Sequence, residues 1–155
     1  MKTYIAGPFF NEIQLDIIKR IEAALDAGSH AYFSPRSDGN LGAMRPEERA
    51  SAAKRVYQSN ITNMKRCEVM VAVLDGGDVG TSFEMGYFNT LRDVGFQKTL
   101  ITVTDSGKAL NVMLAEGTNA HVFDIDARLT ATMNEVARGE INFQTVCQER
   151  RAEVY

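Results

Sequence analysis

Apolar residues along the chain follow patterns that predict five strands alternating with helices. Val69–Leu74 is continuously apolar, which is typical of a parallel strand covered on both faces. From about Asn11 to Ala27, apolar residues recur at helical spacing, which predicts a helix whose apolar face, including Ile13, packs on the sheet. Similar patterns predict strands at Thr3–Ala6, His30–Ser34, Thr99–Val103 and Ala120–Ile125, and helices at Glu47–Arg66, around Glu84, from Leu110 and over Ala127–Ala137.

Strands that alternate with helices favour right-handed crossovers and a doubly wound parallel sheet. We therefore expect an α/β fold of the flavodoxin-like type, with five parallel strands in the order 2-1-3-4-5. The length favours a single domain over residues 1–155. In this order the first and third strands flank the switch point where ligands bind, so Tyr4, Phe9, Asp78 and Glu84 are expected to converge there.

The loop after Val69–Leu74 carries the strongest candidate chemistry. Its glycines permit a sharp exit from the strand, and Thr81 or Ser82 can cap the next helix. That start places Glu84 in the first helical turn, where the helix dipole favours an ionised carboxylate suited to nucleophilic attack. The same spacing from Thr81 to Glu84 also fits a capping box, in which the glutamate only bonds the cap's amide.

Three carboxylates, Asp75, Asp78 and Glu84, follow this strand closely in sequence. A turn-forming aspartate explains one of them. Together they crowd like charges where α/β sheets bind ligands, and such crowding can raise one pKa while another group stays ionised. A structural and a catalytic interpretation both stay open at this point.

Composition and charge favour a small-molecule partner. Hydrophobic residues make up 45% and charged residues 24% of the chain, an ordinary globular balance. The net charge of −3 argues against binding to nucleic-acid polymers. We expect no metal or cofactor, because the histidines are far apart and the two cysteines are isolated. The cysteines favour a cytoplasmic location, and the short apolar amino terminus predicts neither a signal peptide nor a membrane span.

Several segments carry a family resemblance. The segment Asp78–Gly86, DVGTSFEMG, resembles the D-x-G-T-x-x-E-x-G signature of the nucleoside 2-deoxyribosyltransferases. The segment Tyr4–Phe10, YIAGPFF, is similar to that family's first strand and loop. The resemblance spans nearly the whole chain, because it continues through Phe33–Arg36, Tyr57–Ile61, Leu110–Met113 and Val154–Tyr155.

The resemblance implies an enzyme that transfers 2-deoxyribose between nucleobases with retention, as in nucleoside salvage. Glu84 would attack the anomeric carbon and hold a covalent deoxyribosyl ester, and Asp78 would bind the base edge and exchange its proton. The substrates would be 2′-deoxynucleosides and free purine or pyrimidine bases. The residues expected to bind them are Tyr4, Phe9, Asn60, Asp75, Gly80, Asn111, Met113 and Tyr155.

The resemblance also implies a homo-oligomer, either a dimer or a hexamer. Asn111 and Met113 would contact deoxyribose across a subunit boundary, and the carboxylate of Tyr155 would reach a neighbouring site. The apolar pair Val154–Tyr155 fits that contact, but Tyr155 could equally pack on its own subunit. Asn111 could equally cap a helix.

Some of these residues have more than one interpretation. Phe9 and Tyr4 can stack on a base or pack in the core, whereas core packing is favoured for Phe10. Asn60 stands where the family usually has Asp, a departure that removes a negative charge and adds hydrogen-bond donors.

Two other functions stay open. The 2′-deoxynucleoside 5′-monophosphate N-hydrolases resemble this chain, but they tend to have Ser at the position of Asp78, whose carboxylate would repel a phosphate. A non-catalytic nucleoside or nucleotide binder would keep the fold and use Glu84 only in its capping box.

Overall fold

The strands assemble as the sequence predicts. The structure is a computed structural model that describes residues 1–38, 45–105 and 111–144. Its strands form one all-parallel sheet and are β1 (Lys2–Ala6), β2 (Ala31–Phe33), β3 (Val69–Val73), β4 (Thr99–Thr104) and β5 (Ala120–Phe123). Their order, β2-β1-β3-β4-β5, confirms the predicted flavodoxin-like topology and puts β3 in the centre.

Helices flank this sheet on both faces. Those in the described ranges are α1 (Glu12–Ala27), α2 (Pro46–Arg66), α3 (Val79–Asp93), α4 (Val112–Glu116) and α5 (Ile125–Ala137), with a short 3-10 turn at Pro35–Asp38. Asn11 starts α1, because its side chain accepts a hydrogen bond from the amide of Gln14. None of the helices described here is long and apolar enough to cross a membrane.

Alternation along the strands divides the interior into two hydrophobic cores. Ile5 and Val71 point to the face covered by α1 and α5. Tyr4 and Met70 point to the opposite face, which α2 and α3 cover. Every residue of β3 is buried, as expected of a central parallel strand. Tyr4 therefore faces the two helices that carry the candidate site.

Lys98 lies just before β4 and joins that strand to the end of α2. It is only 4% exposed, and its Nζ donates hydrogen bonds to the carbonyl oxygens of Met64, Lys65 and Cys67. Carbonyls at a helix C-terminus lack intrahelical partners and favour a positive charge. The Phe88 ring lies 5.2 Å from the same Nζ, measured to its centroid. Lys98 therefore fixes the end of α2 against the sheet.

Replacing Lys98 with Met should lower the free energy of unfolding by about 1–3 kcal/mol, because buried carbonyls lose their donor. Urea unfolding followed by circular dichroism measures this change. Lys54→Met is the matched control, since Lys54 is exposed on the same helix and should change stability by less than about 0.5 kcal/mol. Equal stabilities of the two variants would mean that Lys98 does not hold α2 in place.

Candidate active site

The turn between β3 and α3 positions the site's acidic residues. Gly76 and Gly77 have φ of 87° and 61°, in the left-handed region that favours glycine. Asp78 follows and caps α3: its Oδ2 accepts hydrogen bonds from the amide of Thr81 at 2.7 Å and from the Thr81 hydroxyl at 3.0 Å. The expectation that Thr81 or Ser82 caps the helix is therefore wrong.

This earlier start moves Glu84 away from the helix terminus. Because α3 begins at Val79, Glu84 lies in the second turn and not the first. The capping box from Thr81 to Glu84 does not form, since Asp78 is the cap. The free amides of the first turn therefore do not set the ionisation of Glu84. The residues packed around its carboxylate do.

Tyr4 is the principal partner of Glu84. Its hydroxyl donates a hydrogen bond to Glu84 Oε1 at 2.6 Å. Tyr4 is fully buried, and its ring stacks on Phe33 with centroids 5.7 Å apart. The Tyr4 ring is therefore enclosed by the protein, and its contribution to the site is a hydroxyl held against the carboxylate.

Burial changes the acidity of Glu84. Removal from water is the main cause that raises the pKa of Glu84 from 4.5 to about 7, while the Tyr4 hydrogen bond lowers it and the nearby charge of Asp78 raises it. The sequence-based expectation of a helix terminus that keeps this carboxylate ionised is thus wrong. At neutral pH the carboxyl is poised between its two protonation states.

Asn60, on α2, reaches the same carboxylate from the other side. Its Nδ2 donates to Glu84 Oε1 at 3.4 Å. The other end of the amide, Oδ1, is buried and has no hydrogen-bond partner among the described residues. Glu84 Oε2 likewise receives no hydrogen bond from the described part of the chain. Strand β1 and helices α2 and α3 thus converge on one partly buried carboxylate.

Asp75 and Gly80 support the turn around this site. Asp75 accepts hydrogen bonds from the Thr104 hydroxyl and the Asp105 amide, each at 2.8 Å, and so ties the end of β3 to that of β4. A Cβ atom at Gly80 would lie 3.0 Å from Asp78 Oδ2, tighter than ordinary contacts. Direct substrate contact by Asp75 or Gly80 stays a prediction.

In the described part of the chain, no hydrogen bond joins Phe9, Asn111 or Met113 to Glu84. Phe9 packs against the core on the α1 and α5 side and stacks on Phe10, whose ring centroid is 5.2 Å away. Base stacking by Phe9 stays a prediction, whereas the expected burial of Phe10 is wrong because Phe10 is 66% exposed.

Asn111 caps α4 by accepting from the Met113 amide, and the Met113 side chain is 77% exposed. Tyr155 lies outside the described residues.

No metal centre competes for these carboxylates within the ranges that the structure describes. There, no group of three or more His, Cys, Asp or Glu side chains is arranged to hold a metal ion. The arrangement instead offers a partly buried carboxylate, in which Oε1 accepts hydrogen bonds and Oε2 accepts none from the described residues. Such a carboxylate suits attack on an electron-poor carbon.

The raised pKa of Glu84 predicts that stability depends on pH. A carboxyl whose pKa is about 7 when folded and 4.5 ordinarily keeps a proton that the unfolded chain releases. The free energy of unfolding should therefore fall as the pH rises from 4.5 to about 7. Glu84→Gln removes this titration, so above that window the variant should be more stable than wild type by on the order of 2 kcal/mol.

Urea unfolding at several pH values measures the difference between wild type and Glu84→Gln. Glu47→Gln, at an exposed glutamate, is the matched control and should show no such trend. A difference between wild type and Glu84→Gln that stays constant across pH would contradict the raised pKa.

The chain is similar in sequence and in fold to known proteins. A sequence model of the nucleoside 2-deoxyribosyltransferase family matches residues 3–129. A search of the curated proteins found no match. Among solved structures, the 2-deoxyribosyltransferase of Bacillus psychrosaccharolyticus is 25% identical, with a TM-score of 0.69 over 86% of this chain and 96% of that chain.

A second solved structure shares the fold. The CMP N-glycosidase of Clostridium botulinum is 12% identical, with a TM-score of 0.53 over 88% of this chain and 99% of that chain. Identity at this level supports common architecture alone. The family match covers far more than half of the sequence, and it includes Tyr4, Asn60, Asp78 and Glu84. The chain therefore belongs to the nucleoside 2-deoxyribosyltransferase family.

Proposed function

We propose that the protein transfers 2-deoxyribose from a 2′-deoxynucleoside to a second free nucleobase, with Glu84 as the nucleophile. The observation that carries this proposal is the partly buried Glu84 carboxylate, whose Oε1 accepts from Tyr4 at 2.6 Å while Oε2 receives no hydrogen bond from the described residues. Oε2 is therefore the oxygen available to form a bond to carbon. The family match supplies the sugar and the base as reactants.

In the first step, Glu84 Oε2 forms a bond to the anomeric carbon as the bond from that carbon to the base nitrogen breaks. The electron pair of the broken bond leaves with the base, which takes up a proton. An ionised carboxylate stabilises the positive charge that develops on the sugar. The product of this step is a free base and a deoxyribosyl ester of Glu84.

In the second step, a nitrogen of the incoming base attacks the anomeric carbon from the face that the first base left. The ester bond breaks, its electron pair returns to Glu84, and the incoming base loses a proton. Each step inverts the carbon, so the two together retain its configuration. The Tyr4 hydroxyl favours this step, because it stabilises the carboxylate that is released.

Asp78 is the group proposed to manage the proton of the base. Both of its bonds to Thr81 use Oδ2, so Oδ1 is open to a donor on the base edge. Asp78 also contributes to the raised pKa of Glu84, which indicates that the two carboxyls interact. One aspartate can thus cap the helix and bind the base.

The charges at the site favour neutral nucleosides over nucleotides. Glu84 and Asp78 are both acidic, and Tyr4 and Asn60 add only neutral donors. Within the described residues, no lysine or arginine bonds the Glu84 carboxylate or shifts its pKa. A phosphate dianion bound beside these carboxylates would be repelled.

We further propose that the active form is a homo-oligomer in which α4 of one subunit completes its neighbour's site. The side chains of Val112 and Met113 are 47% and 77% exposed, although both are apolar. Burial against a neighbouring subunit would remove this apolar surface from water. Asn111 fixes the start of α4 through its cap and so orients Met113.

Base exchange is the activity that tests the proposed function. Incubating deoxyadenosine with cytosine should yield deoxycytidine and adenine in wild type. Glu84→Gln should lower the rate at least about a thousandfold, because an amide cannot act as an anionic nucleophile. Glu47→Gln should retain the wild-type rate, and circular dichroism should show that both variants are folded.

Two results of this assay would overturn the proposal. Release of base from dAMP into water, without any base exchange, would make the protein a nucleotide hydrolase. Nucleoside binding by calorimetry with neither exchange nor hydrolysis would make it a binder.

Mixing two variants with impaired base exchange, Met113→Lys and Glu84→Gln, tests the shared site. Met113→Lys should lower exchange at least about tenfold, because it buries a charge at the subunit contact. Combining Met113→Lys with Glu84→Gln under conditions that allow subunits to mix should restore activity, since some sites then pair an intact Glu84 with an intact Met113. Val94→Lys is the control at another exposed apolar position. An active monomer by light scattering would contradict the shared site.

A further inference from the structure

Two hydrogen-bond donors from different elements converge on a single oxygen of Glu84. The Tyr4 hydroxyl comes from β1 and lies 2.6 Å from Oε1, and Asn60 Nδ2 comes from α2 and lies 3.4 Å from the same atom. Neither donor reaches Oε2. Rotation of the carboxylate about its terminal bond would exchange the two oxygens, and both donors oppose that rotation.

The orientation of the Asn60 amide follows from charge. Placing its carbonyl oxygen against Glu84 Oε1 would set two acceptors against each other whenever the carboxylate is ionised. With Nδ2 toward Glu84, the carbonyl oxygen Oδ1 points away from it. That Oδ1 is buried and has no partner in the described part of the chain. A buried acceptor without a donor is costly, so a donor supplied by a ligand would be favourable.

We propose that Asn60 is a positioning residue that links the nucleophile to the substrate. Its Nδ2, together with Tyr4, holds Glu84 Oε1 so that Oε2 faces the anomeric carbon, and its Oδ1 accepts a hydrogen bond from an N–H or O–H group of the bound nucleoside. This role rests on the proposed base exchange at Glu84. In this role Asn60 donates and accepts hydrogen bonds but does not transfer a proton.

The charges around Glu84 explain why an amide suits this position. Among the described residues, the groups that act on this carboxylate are the neutral Tyr4 hydroxyl from β1, the neutral Asn60 amide from α2 and the Asp78 carboxylate at the start of α3. Asp78 already disfavours ionisation of Glu84. An acid at position 60 would disfavour ionisation of Glu84 further, and it would replace a hydrogen-bond donor with an acceptor.

Asn60→Asp tests this role against its alternatives. The proposal predicts that kcat for base exchange at neutral pH falls on the order of tenfold, and that the acid limb of the kcat/KM profile moves up by about one pH unit, because a like charge faces Glu84. Asn63→Asp is the matched control. Asn63 lies one turn further along α2, and its Nδ2 donates to the Ser59 carbonyl and not to Glu84.

Two outcomes would overturn the positioning role. If Asn60→Asp exchanged bases faster than wild type, position 60 would serve proton transfer, which an acid performs and an amide does not. If Asn60→Asp and Asn63→Asp gave the same rate and the same pH profile, Asn60 would only pack between the helices. Circular dichroism and urea unfolding establish that both variants are folded.

Asn60→Leu tests the bond from the substrate, because it removes the amide without adding charge. Its effect on kcat/KM is compared for deoxyadenosine, for the same nucleoside without its 3′-hydroxyl, and for the analogue without the exocyclic amine. When Asn60 is replaced by Leu, kcat/KM should fall several-fold less for the analogue that lacks the donor to Oδ1 than for deoxyadenosine. Equal losses for all three would overturn the contact with Oδ1.

A readout without substrate separates this inference from the proposed function. Titration of the Glu84 carboxyl by carbon NMR in the ligand-free protein should give a higher pKa in Asn60→Asp than in wild type or Asn63→Asp. If wild type showed no base exchange, the proposed function would fail while this titration still tested the contact between Asn60 and Glu84. An unchanged Glu84 titration in Asn60→Asp would overturn the contact itself.

Discussion

The hydrogen bond between Tyr4 and Glu84 is the constraint on which the site depends. Partial removal of the Glu84 carboxylate from water costs free energy, and the hydrogen bond from the Tyr4 hydroxyl at 2.6 Å offsets part of that cost. The bond requires β1 to lie beside the central strand β3, which is where the 2-1-3-4-5 order puts it. It also requires Tyr4 to face α3, which strand alternation provides. Sheet topology therefore decides whether the candidate nucleophile has a partner.

The surrounding structure fixes the elements that meet at this carboxylate. The two oxygens of Asp78 differ, because Oδ2 caps α3 by accepting from Thr81 while Oδ1 accepts no hydrogen bond from the described residues. Lys98 holds the end of α2 against β4, and α2 carries Asn60. Burial then brings the pKa of Glu84 to about 7, so the acid lies close to the pH at which its anionic form is needed. Residues that hold the helices in place thus also determine the position and the pKa of the Glu84 carboxylate.

Much of the fold could be predicted from the sequence, and the details of the site could not. The continuous apolar run of β3 and the periodicity of α1 specify a parallel sheet covered by helices. Periodicity does not reveal where a helix extends beyond the sheet. It therefore predicts burial of Ile13, in the first turn of α1, which is 78% exposed. The sequence pattern places the start of α3 too late, because several adjacent residues are good caps and only the geometry selects Asp78. Tyr4 and Glu84 are 80 positions apart, so no local pattern predicts their bond.

We propose that the anomeric carbon of the sugar becomes bonded to Glu84 during base exchange. A 2′-deoxy-2′-fluoronucleoside tests this directly, because the electron-withdrawing fluorine slows both formation and breakdown of the ester. Intact-protein mass spectrometry followed by peptide mapping should find one fluorodeoxyribosyl group on Glu84, and adding a second base should remove it as a nucleoside of retained configuration. Base exchange that proceeds with inversion, or a sugar found on any residue other than Glu84, would contradict a covalent intermediate on Glu84.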